Sequence, residues 1–218
     1  MAEINLMDLY PRTRRSLAQR QEVTAADRAL ACRFGKDYFD GERKHGYGGY
    51  RYHPRFWQGV VRRFRDHYDL ADDASVLDVG CGKGFMLHDF KQLMPKLHIT
   101  GIDISPYALE NALPEVRPFL RLGNAKELPY PDRSFDLVIA INTVHNLERE
   151  ECKQALREVQ RVSRRHAFIV VDAWRTPEQE RLLREWVLTA KTYCHVDDWE
   201  AMFRAVGYTG DYYWFMFE

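Results

Sequence analysis

The feature of this sequence that most constrains its fold is an apolar run that ends in a glycine-rich turn, residues 76–84. The run is short enough for one buried strand, and the segment that follows it, residues 85–94, has a helical pattern that Pro95 stops. Glycine takes a positive φ at little cost and lets the backbone approach a ligand, while the following helix offers free N–H groups. Strand, turn and helix in this order predict a nucleotide-binding unit.

Short apolar segments and helical segments continue to alternate toward the end of the chain. Uninterrupted apolar runs such as residues 135–141 are typical of parallel strands that are covered on both faces. Strands are predicted at residues 76–79, 98–103, 119–122, 135–141, 167–171 and 212–217. Helices are predicted at residues 25–32, 85–94, 148–162, 178–188 and 197–206, and further helices are predicted to begin at Pro54 and Ser105. The pattern predicts an α/β fold, with a Rossmann-like, doubly wound, mostly parallel sheet of six to seven strands and helices on both faces.

Two aspartates near the glycine-rich turn narrow the choice of nucleotide. Asp103 ends the second predicted strand, where a carboxylate can accept hydrogen bonds from both hydroxyls of a ribose. The glycines have the spacing GxGxG, whereas dinucleotide sites have GxGxxG. Asp78 precedes the turn, and its charge repels a pyrophosphate but attracts the ammonium of a methionine moiety. These features favour S-adenosylmethionine (SAM) over NAD.

Beyond this site, the sequence resembles the class I SAM-dependent methyltransferases, in particular the small-molecule branch that is similar to methyltransferase domain 11. Four stretches carry the resemblance, which covers about residues 50–218: 76–84, 101–105, 123–129 and 134–138. The resemblance implies a transferase of class EC 2.1.1 that binds SAM and releases S-adenosylhomocysteine. The predicted cofactor-binding residues are Asp78, Gly80, Cys81, Gly82, Gly84, Asp103, Ile104, Asn124, Ala125 and Ile141. The family usually has an acid at the position of Asn124, whose side-chain carbonyl can still accept from the adenine amino group.

The methyl acceptor is expected beyond the carboxyl ends of the fourth and fifth strands, where open parallel sheets bind their ligands. Asn142 and His145 follow the fourth strand, and Asp172 and Trp174 follow the fifth. His145 is the candidate general base because an imidazole titrates near neutral pH, and Asp172 is predicted to orient it, to act as the base itself or to bind a cationic substrate. The structural alternatives are a helix cap or carbonyl contact for His145 and a turn for Asp172.

A glycine- and tyrosine-rich segment, residues 45–53, precedes the predicted SAM-binding domain. Such segments often fold over the cofactor in this class of enzyme, so we divide the chain into an N-terminal helical and lid segment, residues 1–53, and a SAM-binding methyltransferase domain, residues 54–218. Tyr47, Tyr50 and Tyr52 offer rings for stacking and phenols for hydrogen bonds, and we expect one or two of them to reach the cofactor or the acceptor. The alternative is a tight turn whose tyrosines pack on the core.

Composition limits the partners. Lysine plus arginine and aspartate plus glutamate number 32 each, so the net charge is zero and a nucleic-acid partner is not expected. The sequence contains no long apolar run, so no membrane partner is expected. Four separated cysteines without a CxxC pair predict a cytoplasmic protein without a zinc knuckle or disulfide scaffold, and the histidine spacing predicts no catalytic metal. The aromatic residues at 212–215 fit a pocket wall, core packing or a homodimer interface equally well.

The resulting prediction is a methyltransferase that acts on an oxygen, nitrogen or carbon atom of a small metabolite. Three alternatives remain on the same fold: modification of RNA or a protein, regulation by SAM binding without catalysis, and a different reaction of the same cofactor.

Overall fold

The computed structural model describes residues 1–11, 17, 20 and 22–217. The strands are β1 (Ser75–Val79), β2 (His98–Asp103), β3 (Leu120–Leu122), β4 (Phe135–Ile141), β5 (Ser163–Trp174), β6 (Cys194–His195) and β7 (Asp211–Phe215). The α-helices are α1 (Ala25–Ala31), α2 (Lys36–Asp40), α3 (Gln58–Tyr68), α4 (Phe85–Leu93), α5 (Pro106–Glu110), α6 (Arg149–Val162), α7 (Pro177–Trp186) and α8 (Val196–Val206).

The strands form one seven-stranded sheet in the order β3-β2-β1-β4-β5-β6, and β7 also pairs with β5. All pairings between these strands are parallel, which confirms the predicted α/β architecture. The chain runs outward from β1 to β3 and then returns to place β4 on the other side of β1. The strand order therefore reverses between β1 and β4, and ligands of such sheets bind beyond the carboxyl ends of the strands at that point.

Alternation along the strands divides the core into two layers. In β4, Leu137 and Ile139 point to the layer that contains Phe64 of α3 and Phe90 of α4. Val138 points to the opposite layer, together with residues of α6 and α8 such as Leu156 and Trp199. Successive side chains of a strand lie on opposite faces, so an uninterrupted apolar run satisfies both layers.

The N-terminal residues pack onto this sheet. The Ile4 amide donates to the Tyr212 carbonyl at 2.9 Å, and the Tyr212 amide donates to the Ala2 carbonyl at 3.0 Å, so the first residues extend the sheet beside β7. Leu6 is 4% exposed and belongs to the same apolar layer as Val60 and Phe64. Division of the chain at residue 53 stays a prediction.

Several predicted element boundaries are wrong. Pro54 begins a turn, in which its carbonyl accepts the Gln58 amide at 3.1 Å, and the helix starts only at Gln58. Strand β5 is longer than the predicted residues 167–171 because it pairs with β4 along its first part and with β6 at its end. The short elements α2 and β6 were not predicted, since neither is long enough for a periodic pattern.

The C-terminal aromatic residues belong to the core, the second of the three roles that the sequence allowed. Tyr212 is 5% exposed and Trp214 is 2% exposed, and both pack with Phe203 of α8. Within the described part of the chain, no helix combines the length and the apolarity that a membrane crossing needs.

Candidate cofactor and acceptor site

The cofactor turn, residues 80–84, leaves the end of β1 with three glycines in the left-handed region. Gly80, Gly82 and Gly84 have φ values of 81°, 55° and 73°, which favour glycine at each position. The Gly80 amide donates to the Ile102 carbonyl at 2.7 Å. A Cβ at Gly80 would lie 2.1 Å from Oγ1 of Thr143, so the turn is also seated against the loop after β4. The glycines therefore place this backbone at the reversal in strand order.

Asp103 holds the end of β2 against the cofactor turn. Its Oδ2 atom accepts the Gly82 amide at 2.7 Å, and its Oδ1 atom accepts the Ser105 amide at 2.8 Å. The residue is 8% exposed, and burial raises the pKa of its carboxyl although these amides act against the shift. Each carboxylate oxygen has a further lone pair, so the fixed side chain can also accept from ribose hydroxyls.

Asp78, at the end of β1, is the second buried acid of the site. It is 5% exposed, and burial together with the charge of Asp103 raises the pKa of its carboxyl to about 8. The ionised form is therefore costly until a positive charge lies nearby. This arrangement suits the ammonium of a methionine moiety, and the role of Asp78 as its partner stays a prediction.

Two residues predicted to bind the cofactor are Ile104, which is an exposed apolar side chain, and Asn124, the predicted adenine contact, which lies in a polar turn. Ile104 is 54% exposed directly after Asp103, which suits contact with a flat ring. The Oδ1 atom of Asn124 accepts the Lys126 amide at 3.0 Å, so one lone pair of the predicted adenine contact is already used within its own turn. Ala125 packs against the core layer that contains α6.

Two further residues predicted to bind the cofactor are Cys81, within the turn, and Ile141, at the end of β4. Cys81 is 5% exposed, and its amide donates to the Ile102 carbonyl at 3.1 Å. Ile141, at the end of β4, is partly buried against the layer that contains α4.

Asn142, directly after β4, has an unusual conformation. Its φ is 52°, which is uncommon for a residue other than glycine, and its amide donates to the Val170 carbonyl at 2.9 Å. The buried Oδ1 atom has no hydrogen-bond partner among the described residues. A strained backbone and an unsatisfied buried oxygen are features of binding sites, since a ligand can satisfy the oxygen.

His145 and Asp172 come together across the ends of β4 and β5. The Nδ1 atom of His145 accepts the Asp172 amide at 2.9 Å and lies 3.7 Å from the Asp172 carboxylate. Burial lowers the pKa of the imidazole, against the opposing charge of Asp172. Because Nδ1 is an acceptor, the neutral ring carries its proton on Nε2. The catalytic roles of both side chains stay predictions.

The predicted lid tyrosines take three different positions. The Tyr50 ring stacks on Phe85 at 4.8 Å, and a Cβ built on Gly82 would lie 3.4 Å from that tyrosine ring. Tyr47 lies 4.3 Å from Tyr50 between ring centroids and is 44% exposed. The Tyr52 hydroxyl instead donates to Asp89 of α4 at 2.6 Å, and the Tyr52 ring lies 5.8 Å from that of Phe85.

The predicted acceptor residue Trp174 ends β5 and is 9% exposed. Its ring lies 6.2 Å from that of Tyr193, and the guanidinium of Arg184 lies 5.6 Å from both ring centroids. Trp174, two residues after Asp172 in β5, thus forms an aromatic surface together with Tyr193.

Sequence reasoning missed Asp40 and Lys83. Lys83 lies between two glycines of the cofactor turn and is 6% exposed, and its Nζ atom donates to Asp40 at 2.6 Å. A lysine inside a glycine turn is a signal that could have been noticed, but its partner 43 residues away carries no such signal. Among the residues that the structure describes, no group of three His, Cys, Asp or Glu side chains could hold a metal ion.

Comparisons with known proteins agree with this geometry. Residues 77–171 match the methyltransferase domain family. A demethylmenaquinone methyltransferase from Lactiplantibacillus plantarum is 34% identical over 125 residues, which are 54% of this chain and 52% of that protein. A tRNA (carboxymethyluridine(34)-5-O)-methyltransferase from Arabidopsis thaliana is 30% identical over 133 residues, which are 60% of this chain and 31% of that protein. The chain therefore spans about half the length of the first relative and less of the second.

Among solved structures, the YcgJ protein from Bacillus subtilis superposes with a TM-score of 0.55 and 23% identity, over 67% of this chain and 66% of that one. This likeness concerns the fold. Together with the matched domain, the sheet and the cofactor turn define the class I SAM-dependent methyltransferase fold. Residues 77–171, which are under half of the chain, therefore carry a methyltransferase domain of this class, and the class uses SAM as its cofactor.

Proposed function

We propose that this protein transfers the methyl group of SAM to an oxygen, nitrogen or carbon atom of a small metabolite. The observation that carries the proposal is the position of residues 34–50, which we call the tyrosine segment. Phe39 and Tyr50 from this segment lie against Gly82, within 3.6 Å of where its Cβ would be. A segment that covers the cofactor turn this closely favours an acceptor small enough to be enclosed.

Bound SAM supplies a methyl group that is already electrophilic, so the main task of the protein is alignment and exclusion of water. The Asp103 carboxylate would accept from the ribose hydroxyls, and Asp78 would face the positive charge of the methionine part. Ile104 would cover the adenine ring. The buried Oδ1 atom of Asn142 lies at the carboxyl end of β4, where it can accept a hydrogen bond from the cofactor or the acceptor.

For an acceptor that must lose a proton, we assign the acceptor-side chemistry to His145 and Asp172. The Nδ1 atom of His145 already accepts the Asp172 amide, so this nitrogen can take a proton only if that hydrogen bond breaks. The geometry therefore supports Asp172 as the base and His145 as the residue that fixes its position. The reverse assignment, with His145 as the general base, is the direct competitor.

The test is a screen of small metabolites for SAM-dependent methylation, followed by variants assayed on the acceptor that it finds. Asp172→Asn is expected to lower kcat by about 100-fold or more, and His145→Ala by about 10-fold, because a general base contributes about 10²–10⁴-fold. SAM affinity, measured by calorimetry, should change little in either variant. The matched control is His98→Ala, an exposed histidine at the opposite end of the sheet. A larger loss in His145→Ala than in Asp172→Asn makes His145 the base, and unchanged turnover in both contradicts the assignment.

RNA methylation is the second candidate because one relative is a tRNA methyltransferase. The zero net charge of this chain argues against it, since RNA binding needs an excess of basic groups. Methylation of bulk tRNA by the wild-type protein would favour this candidate. Tight SAM binding without methylation of either substrate class would favour a regulatory role.

We also propose that the protein works in a reducing compartment such as the cytoplasm. All four cysteines are free thiols, and three of them are buried.

A further inference from the structure

The Asp40 carboxylate, at the end of α2, connects three parts of the cofactor site. Its Oδ1 atom accepts the Tyr50 amide at 3.0 Å. Its Oδ2 atom accepts from Nζ of Lys83 at 2.6 Å and from the hydroxyl of Tyr107 at 2.7 Å. Tyr50 belongs to the tyrosine segment, Lys83 to the cofactor turn, and Tyr107 to α5, which follows the ribose-binding end of β2.

The Lys83 ammonium is buried and depends on this carboxylate. The residue is 6% exposed, and its Nζ atom also donates to the Tyr50 carbonyl at 2.9 Å. Burying an ammonium is costly unless it is paired and hydrogen-bonded. Burial acts to raise the pKa of Asp40, but hydrogen bonds from Lys83, Tyr107 and Tyr50 outweigh it and hold this pKa below its usual range, so the carboxylate stays ionised at neutral pH.

The tyrosine segment is fastened at its other end as well. The Ser105 hydroxyl donates to the Phe34 carbonyl at 2.5 Å, and Ser105 is also the residue whose amide binds Asp103. Within the segment, the Tyr47 amide donates to the Tyr38 carbonyl at 2.9 Å, and the Gly49 amide donates to the Phe39 carbonyl at 3.1 Å. These two bonds link the second half of the segment to its first half.

We propose that Asp40 is a positioning residue whose carboxylate latches the tyrosine segment to Lys83 of the cofactor turn and thereby sets how long SAM stays bound. The proposal rests on the proposed function for the assignment of SAM to this turn. Asp40 touches neither the methyl group nor the acceptor in this scheme. It acts through Lys83, Tyr50 and Tyr107, so its removal should change cofactor exchange more than the chemical step.

The experiment compares SAM dissociation rates, by stopped-flow displacement with excess S-adenosylhomocysteine, in the full-length wild type and in variants. Asp40→Asn removes the charge of the latch with little change of volume, and Lys83→Met removes its partner. Each is expected to speed SAM dissociation by about 10-fold and to raise KM for SAM, with kcat changed by less than about 3-fold. The double variant should be no faster than either single one, because both break the same contact.

Asp37→Asn is the matched control. Asp37 lies on the same helix, one turn before Asp40, and is exposed. Its SAM dissociation rate should equal that of the wild type. Hydrogen exchange at residues 36–50, measured without ligand, should be faster in Asp40→Asn and Lys83→Met than in Asp37→Asn.

The latch is overturned if Asp40→Asn and Lys83→Met match Asp37→Asn in both SAM dissociation and hydrogen exchange. Failure of the proposed function has a different signature. A wild-type protein that binds SAM but methylates no small molecule contradicts that function, whereas the dissociation rates still decide the latch. If the wild type binds no SAM, the unliganded hydrogen exchange decides whether the latch exists, and the link to SAM residence time is refuted.

Discussion

The cofactor turn and the tyrosine segment form two sides of one site but are held in different ways. The turn is fixed by backbone hydrogen bonds to the neighbouring strand, such as that from Gly80 to Ile102. Its glycines also adopt positive φ values that other residues rarely take. The tyrosine segment is held by side chains from distant parts of the chain, 43 residues apart for Asp40 and Lys83 and 71 for Phe34 and Ser105. The turn is therefore part of the backbone network of the sheet, whereas the segment depends on a few side-chain contacts, so we expect the segment to open more readily than the turn.

The largest effect on SAM binding is expected from a change on the sheet side. Asp103→Ala removes the carboxylate that would bind the ribose and also releases the Gly82 and Ser105 amides. SAM affinity should fall by at least about 100-fold, which corresponds to about 3 kcal/mol, because hydrogen bonds to a charged group contribute about 1.5–3 kcal/mol each. Calorimetry with SAM and S-adenosylhomocysteine measures the change. Asp72→Ala, at an exposed position, is the control, and equal affinities in the two variants would remove Asp103 from the cofactor site.

Asp78 gives a prediction for pH. Its carboxyl has a pKa of about 8 in the fold against 3.8 in the free side chain, so the native state keeps a proton that the unfolded chain releases between these values. The stabilisation from this group is complete below about pH 4 and is lost as pH rises toward 8. Asp78→Asn imitates the protonated form, so it should be more stable than the wild type by about 5 kcal/mol at pH 8, at about 1.4 kcal/mol per pKa unit, and nearly equal at pH 4.

Chemical denaturation across this pH range measures the difference in the free energy of unfolding. Asp136→Asn is the control, because the stability that Asp136 contributes should depend on pH in the opposite direction. The pKa of Asp136 is lowered to about 2, as the Arg164 and Ser75 hydrogen bonds outweigh burial, so its stabilisation is present at neutral pH and is lost as pH falls. SAM binding should release a proton near pH 7.5 in the wild type but not in Asp78→Asn. Proton release that is the same in both would show that the cationic part of SAM lies elsewhere.

The smallest expected effect comes from alanine substitutions at two glycines, Gly82 and Gly207, which both have a positive φ. Gly82 has a φ of 55° and faces the rings of the tyrosine segment, whereas Gly207 has a φ of 73° and nothing within 4 Å of its missing Cβ. Alanine at either position should cost about 1 kcal/mol of stability. Only Gly82→Ala should also weaken SAM binding, by about 10-fold, because its methyl group fills the space between the turn and Tyr50. Equal SAM affinities would mean that the two regions do not share a cofactor space.

Much of the fold could be predicted because the apolar pattern of a long helix or strand shows which of its faces is buried. The predicted bounds of β2 and β4 agree with the structure, since β4 is a mostly apolar, buried run and β2 is a short segment between two clear breaks, Pro95 and the helix start at Ser105. Helix α3 was predicted too early because proline permits a turn as well as a first helical turn. The short α2 and β6 depend on contacts with other elements, and a local pattern does not record those contacts.

The site divides in the same way. Spacing along the chain predicted that Asp78, Asp103 and the glycines lie at one end of the sheet, because the βα unit places the end of each strand next to the turn that follows it. Position after a strand also brought His145 and Asp172 together. It did not reveal that the Asp172 amide occupies Nδ1 of His145, which changes the choice of base.

The sequence by itself therefore determined the sheet and the cofactor turn, since both rest on backbone geometry that short stretches of residues impose. Only the tertiary structure decided which side chains close the site. It bonded the Tyr52 hydroxyl to Asp89, brought the Tyr50 ring against Gly82 and paired Asp40 with Lys83. The reason is physical: a buried charge must find its partner wherever the folded chain places one, and the distance along the sequence does not limit that choice.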